Sequence, residues 1–466
     1  MGLTAIVLAA GEGTRMKSSH PKVVHKLLDR PMVCWVVDAA RAAGADRAVV
    51  VVGNGADEVR ALFDGRPDVE CVLQAERLGT GHAVRTALEG AEICDGRVLV
   101  LCGDTPLLRP ETLARLVEVS KGSLSGALLT MSYDDPTGYG RVMVDGDGFA
   151  SRIVEQKDCT PEEALCKVCN AGVYCFDPTL LRGHIGELDC NNKQGEYYLT
   201  DMVAILRGAG VPMLAVACDR DGSELMGVNS RAQLADATKV MQRRINRALM
   251  DGGVTMLDPD QVWVGPEVTV GRDTELLPGT MLWGRTSIGE GCTVGPQTRL
   301  TDTTVGDGCV VDETVAVEAV IGNRVSCGPR AYLRPGAVLM DGSKAGTHVE
   351  IKKSVIGPGS KVPHLSYIGD CTMGAGVNVG AGTITCNYDG KFKHATTIGD
   401  DTFVGSDTML VAPVNVGSGC TIGAGSVITR DVPDGALALE RNEQHVVPHW
   451  LPRWARGGAD DGAGAR

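Results

Sequence analysis

Two short constellations in this chain of 466 residues carry side chains suited to handling anions. The first is Leu8-Ala9-Ala10-Gly11-Glu12-Gly13-Thr14-Arg15-Met16, followed by Pro21-Lys22. Gly11 and Gly13 let a backbone turn tightly enough for its amides to converge on an anion, as in phosphate-cradling loops. The run is not a P-loop, since no Gly-Lys-Ser/Thr follows, and it is not the GxGxxG dinucleotide turn. Arg15 and Lys22 supply the cations that a triphosphate needs as pyrophosphate leaves. Asp104 stands just past the apolar run Arg97–Cys102, where open α/β sheets bind ligands, and a hard carboxylate there suits Mg²⁺.

The second constellation lies between Arg334 and His394. Seven Lys or Arg (Arg334, Lys344, Lys352, Lys353, Lys361, Lys391, Lys393) face four acids there (Asp341, Glu350, Asp370, Asp389), in a chain of formal net charge −13. Three of the nine histidines, His348, His364 and His394, fall in the same stretch. A cationic patch on an acidic chain suits an anionic small molecule, and a sugar phosphate or coenzyme A would qualify. His364, in Lys361-Val-Pro-His-Leu-Ser-Tyr367, is the side chain placed to take a proton from an amine near neutral pH. The acidic balance of the whole argues against nucleic acid as a partner.

The elements that must position these groups fall into two patterns. Residues 3 to about 228 alternate apolar strand-like runs (4–10, 47–52, 97–102) with helical stretches (32–43, 110–119), which predicts an α/β domain with a largely parallel sheet. Residues 229–250 read as one connecting helix ended by Asp251-Gly252-Gly253. Residues 251–445 read as a second domain, and from Val264 to Ile428 an apolar residue recurs at every sixth position. Val264, Val270, Leu276, Leu282, Ile288, Val294 and Leu300 form one series, and Ile398, Val404, Leu410, Val416, Ile422 and Ile428 another. Six is the period of a chain winding round a triangular prism, one inward residue per face. The phase slips by one between Leu300 and Val305 and again between Ile351 and Ile356. The repeat breaks at 384–393, where a projecting loop is expected.

With 61 glycines and only 4% aromatics, the composition suits tight turns around a narrow interior. Six of the sixteen cysteines (Cys34, Cys71, Cys94, Cys102, Cys175 and Cys218) sit in apolar or strand-like runs, and Cys166-Lys-Val-Cys169 has no second matching pair, so reduced thiols are expected. No apolar run of eighteen or more appears, so neither a membrane span nor secretion is indicated, and the expected location is cytoplasmic. The tail, 446–466, ends in a Gly- and Ala-rich stretch expected to be disordered.

The motif LAAGEGTRM…PK resembles the signature of sugar-1-phosphate nucleotidyltransferases. With the repeat, residues 3–445 resemble the bacterial family of bifunctional N-acetylglucosamine-1-phosphate uridyltransferase/glucosamine-1-phosphate N-acetyltransferases. Supporting motifs are Gln74-Ala-Glu-Arg-Leu-Gly-Thr-Gly-His82, Gly103-Asp-Thr-Pro-Leu107, Asp135-Pro-Thr-Gly-Tyr-Gly-Arg141, Ile153-Val-Glu155 and Gly195-Glu-Tyr-Tyr-Leu-Thr-Asp201. The resemblance implies a Rossmann-like nucleotidyltransferase domain, a linking helix and a left-handed parallel β-helix that assembles as a homotrimer, with no membrane or nucleic-acid partner.

It also implies roles. Leu8, Ala9, Ala10, Gly11, Gln74, Gly79 and Thr80 would hold the uracil end of UTP, and Arg15 and Lys22 the phosphates. Gly140, Glu155 and Asn170 would hold N-acetylglucosamine, and Asp104 and Asn229 Mg²⁺. In the second half His364 would be general base, with Arg334, Lys352, Tyr367, Asn378 and Lys393 around glucosamine-1-phosphate. Ala381, Asn387, Tyr388, Ser406, Ala424 and Arg441 would face acetyl-coenzyme A.

Four positions depart from the family pattern: Glu12 in the phosphate loop, Cys102 before Gly-Asp, Thr347 before Val-Glu, and Pro363 before His364. Glu12 would weaken UTP binding if it faced the phosphates. Two other readings stand beside the bifunctional one. A nucleotidyltransferase with a merely oligomerising β-helix needs no His364, Lys352 or Asn387-Tyr388-Asp389-Gly390. A noncatalytic assembly subunit with the same folds needs no Arg15, Lys22 or Asp104.

Overall fold

The computed structural model describes residues 2–218 and 222–455; the stretch 457–466, expected to be disordered, lies outside them. The chain divides into two compact units, Met1–Val270 with Leu276–Arg285, and Gly271–Glu275 with Thr286–Arg466.

In the first unit, strand Leu3–Ala9 is central because its residues are small or branched and apolar on both faces. Arg47–Val52 and Arg97–Cys102 flank it, both parallel. Alternation sends Ala5 and Val7 to one side, against Val33, Val36 and Val37 of helix Met32–Ala42 and Leu113 of helix Pro110–Ser120. Ile6 points to the other side, against Val84 and Ala87 of helix Thr80–Gly90 and Val203 of helix Met202–Gly208.

The full strand order is Val69–Leu73, Arg47–Val52, Leu3–Ala9, Arg97–Cys102, Val168–Phe176, Gly126–Ser132, Met213–Ala217, Phe149–Val154, Arg141–Val144. The sheet is therefore less parallel than expected. Its first four strands are parallel, but Val168–Phe176 runs against both neighbours, and Arg141–Val144 and Phe149–Val154 form an antiparallel pair. These last two are joined by a short turn, which only antiparallel strands allow.

The long helix spans Arg231–Asp251, two residues later at its start than expected, because the Ser230 side chain accepts from the amide of Gln233 at 3.3 Å. Its Ala237 and Met241 pack with Leu27, Leu28, Met32, Leu107 and Val228. Buried Gln242 and Asn246 donate to the Val262 carbonyl at 2.6 and 2.9 Å, fixing the helix to the opening of the repeat.

In the second unit, strands of two to four residues join three parallel sheets in rotation, each pairing with the third strand after it. Thr293–Val294 meets Val310–Val311, which meets Ser326–Cys327, which meets Lys344–Thr347. The inward residues Val294, Leu300, Val311, Leu333, Ile351, Val379 and Leu410 are fully buried. These stacked parallel sheets are consistent with a left-handed parallel β-helix of hexapeptide repeats.

The period is looser than the sequence suggested. Besides the two slips already noted, five-residue steps separate Val311, Ala316 and Ile321, and Ile368 and Met373, all inward. Every five-residue corner turns on a residue other than Gly with positive φ: Asp302, Glu313, Glu318, Lys353 and Asp370. The break at 384–393 is also shorter than expected. Ile384–Cys386 remains a strand, paired with Tyr367 on one side and Met409–Val411 on the other, with Thr385 fully buried at the inward position. A polar inward residue hid that turn of the repeat.

Candidate active sites

The first unit opens a cleft of about 540 Å³ at the carboxyl ends of strands Leu3–Ala9, Val69–Leu73 and Arg97–Cys102. Leu8, Ala9, Ala10, Gly11, Glu12, Lys22, Gln74, Arg77, Gly79, Thr80, Cys102, Asp104 and Glu196 line it. Gly13 makes the loop possible. Its φ is +62°, and a Cβ there would lie 2.5 Å from the Lys22 Cβ, so a side chain would push Lys22 out of place. Gln74 is buried and held by donation from Nε2 to the Gly79 carbonyl at 3.2 Å, with His82 Nδ1 at 2.9 Å.

Lys22 is the centre of the cleft's electrostatics. Its ammonium donates to Asp104 Oδ2 and, at 2.9 Å, to Asn229 Oδ1. Residues more than two hundred positions apart thus converge on one cation. Two hard oxygens facing a shared positive charge are a donor set that fits Mg²⁺, which takes few protein ligands and keeps several waters.

Beyond the cleft wall, Gly140, Glu155 and Asn170 stand together. The Asn170 amide donates to the Gly140 carbonyl at 2.8 Å, and a Cβ on Gly140 would lie 3.4 Å from Glu155 Oε1. Burial holds the Glu155 carboxyl above its ordinary range. Cys102 connects the two parts: it lines the cleft, and its Sγ lies 3.8 Å from the Gly172 carbonyl. Burial pushes that thiol up to about 12, so Cys102 is a neutral part of the wall.

Arg15 is placed differently. It is exposed on the turn Thr14–Met16 and is not among the side chains lining the cleft. Arg77 is there instead, with Nη1 2.5 Å from Glu12 Oε1. The motif quoted around Gln74 already contained Arg77, but spacing alone gave no reason to choose it.

In the second unit, one cluster gathers on the sheet of Glu350–Lys352 and Tyr367–Gly369, which pair Glu350 with Tyr367 and Lys352 with Gly369. Arg334 donates to Glu350 at 2.8 Å. Burial, and then the Lys393 ammonium beside it, hold Lys352 below the usual lysine range. Lys393 also lies over the Tyr388 ring, 5.2 Å from its centroid.

Asn387 is buried, donating to Asp370 Oδ2 at 2.5 Å and to the Tyr367 hydroxyl at 3.5 Å. It therefore joins the Tyr367 cluster to the loop that carries Tyr388. Sequence reasoning missed Glu350 and Asp370, both acids within the basic stretch whose partners only the fold reveals. Asp389 fixes the loop by accepting from the amides of Lys391 and Phe392 and contacting His394 Nε2 at 2.7 Å. His394 and those two amides draw its carboxyl down to about 2.

A corner of the prism brings other expected residues into line. His364 ends strand Lys361–His364, opposite Thr347, and its side chain is exposed. The Ser366 hydroxyl donates to the His364 carbonyl at 2.7 Å and to that of Gly380 at 3.5 Å, so Ala381 lies one coil on at the same corner. The Ala381 carbonyl accepts from Asp407 at 2.7 Å, and that of Ser406 from Gly425 at 2.8 Å. Arg441 reaches the Ala424 carbonyl at 3.4 Å. Asn378 lies on the strand leading to Ala381, between Lys361 and Phe403.

Residues 5–144 match the MobA-like NTP transferase domain. Residues 293–373 match the GlmU-like C-terminal hexapeptide, and 395–430 the six-repeat bacterial transferase hexapeptide. A protein of Heliobacterium modesticaldum named bifunctional protein GlmU is 49% identical over 456 residues, 97% of this chain and 99% of its own. Its namesake in Caldanaerobacter subterraneus is 49% identical over 451 residues, 96% of this chain and 97% of its own. That of Trichlorobacter lovleyi is 49% identical over 450 residues, with the same coverage. Relatedness at this level along nearly the whole of each chain means that the chain belongs to the GlmU family of bifunctional proteins.

Proposed function

We infer that this chain is a bifunctional transferase. It acetylates glucosamine-1-phosphate with acetyl-coenzyme A, then transfers UMP from UTP to the product, giving UDP-N-acetylglucosamine and pyrophosphate. What carries the reading is the presence of two separate chemistries: a triphosphate-sized cleft around Lys22, Asp104 and Asn229, and, in the repeat unit, a cluster of Arg334, Lys352 and Lys393 together with a corner that bears the exposed His364.

In the uridyl step, Gln74, Gly79 and Thr80 hold uracil, and Gly140, Glu155 and Asn170 hold the sugar. An oxygen of the sugar 1-phosphate attacks the α-phosphorus of UTP in line, and the bond to pyrophosphate breaks. Lys22, joined by Arg15 swinging in from the exposed turn Thr14–Met16, offsets the charge that develops on the departing group, so positioning and electrostatics supply most of the rate. Asp104 and Asn229 would hold Mg²⁺, which when bound neutralises phosphate charge.

In the acetyl step, Arg334, Lys352 and Lys393 hold the sugar phosphate, with Tyr367 and Asn378 around the ring. His364 takes a proton from the substrate nitrogen as that nitrogen attacks the thioester carbonyl, and coenzyme A leaves as the thiol after protonation. Ala381, Ser406, Ala424 and Arg441 form the acetyl-coenzyme A wall, with Asn387 and Tyr388 at its side.

The working species is a homotrimer, measurable by sedimentation equilibrium. Exposed apolar side chains on short strands of all three sheets (Val310, Val320, Tyr332, Phe403, Val427) offer faces for neighbouring copies. No described helix is long and apolar enough to cross a membrane. UTP and acetyl-coenzyme A as co-substrates favour the cytoplasm. Incubating the purified chain with glucosamine-1-phosphate, acetyl-coenzyme A, UTP and Mg²⁺ should yield a product with the mass of UDP-N-acetylglucosamine. A product lacking the acetyl group would leave only the nucleotidyl half.

A further inference from the structure

Glu12 and Arg77 lie on the wall of the nucleotide cleft, and the two steps above use neither. Glu12 comes from the glycine loop after strand Leu3–Ala9. Arg77 comes from the loop between strand Val69–Leu73 and helix Thr80–Gly90. The pair ties together the loops that meet the phosphates and the base, at 2.5 Å, with side chains 53% and 44% exposed. An ion pair this open to water holds weakly and exchanges readily. Lys22, also on the wall, is likewise engaged, by Asp104 and Asn229. Before any nucleotide arrives, both of these cations already hold oxygens of the protein.

We propose that Arg77 is a second triphosphate-binding residue and that Glu12 is an internal stand-in for phosphate, displaced when UTP binds. The proposal rests on the reading of the cleft as a uridyltransferase site. A guanidinium binds phosphate oxygens in a two-pronged fashion and with more charge than one carboxylate offers, so the exchange runs toward the nucleotide. Glu12 between two glycines can swing aside without dragging a rigid element. The same carboxylate re-forms its contact as pyrophosphate leaves, which lowers the affinity for both triphosphate and pyrophosphate.

The test is titration calorimetry of UTP, and separately of pyrophosphate, on the full chain with Mg²⁺. Glu12→Gln should tighten UTP binding about two- to fivefold, the scale of a half-exposed ion pair. Arg77→Gln should weaken it about tenfold, the scale of a charge-assisted contact. In the double variant the gain from Glu12→Gln should vanish, since the competed-for group is gone. An unchanged thermal unfolding transition of the first unit reports that each variant is folded.

If Glu12→Gln leaves binding unchanged or weaker, or its gain survives without Arg77, the proposal falls. An unchanged affinity in Arg77→Gln has the same consequence. Should the unaltered chain bind no UTP, the uridyltransferase reading fails along with it, an outcome distinct from a normal parent with flat variants.

Discussion

Lys22 and Lys352 show two ways of managing a lysine that must meet a phosphate. Lys22 is partly buried and spends its charge on Asp104 and Asn229, so an incoming phosphate must compete for it. Lys352 keeps its charge less firmly, through burial and through the Lys393 ammonium beside it. A like charge nearby disfavours protonation, so Lys393→Met should raise the Lys352 pKa. Phosphate binding, strong below that pKa and lost as pH rises through it, should then persist to higher pH. A heteronuclear NMR titration of the Lys352 side chain measures the shift directly, and no upward movement would separate the two lysines. The acids in the patch work by position. Glu350 aims Arg334 and Asp370 anchors Asn387, so the net positive stretch read from the sequence is in fact a partly paired array.

Along the repeat, the element that holds the coil together is a ladder of small buried side chains at its corners. The Thr402 hydroxyl donates to the Gly417 carbonyl at 2.7 Å and accepts from the Cys420 amide at 3.2 Å, joining adjacent coils. Ser360 does the same with Gly374 and Val377. Cys292 and Cys309 take the same position, their thiols facing the carbonyls of Gly306 and Gly322. Thr402→Val keeps the shape but leaves a buried donor and acceptor unpaired, so a loss of about 1–3 kcal/mol is expected in chemical denaturation, with Thr402→Ser close to the parent. Equal stability of the valine and serine variants would deny the ladder its role. The apolar six-residue period was readable because one inward residue per face is a strong hydrophobic signal. The corners were not. Their five-residue versions use Asp302, Glu318 or Lys353 at positive φ, where no glycine marks the turn, and Thr385 is polar yet inward.

Across the molecule, the phosphate loop and Asp104 could be read locally because each follows directly on its strand. The Lys22–Asp104–Asn229 meeting point could not be drawn from spacing, since it spans most of the first unit, and neither could the placing of Arg77 rather than Arg15 on the cleft wall. The central claim is that one chain houses two independent active sites. His364→Ala and Asp104→Asn, each assayed by mass spectrometry for acetylation of glucosamine-1-phosphate and for uridylation of N-acetylglucosamine-1-phosphate, test it most directly. The His364 variant should lose acetylation and keep uridylation, and the Asp104 variant should do the reverse. Loss of both reactions in either variant, or acetylation undiminished without His364, would contradict it.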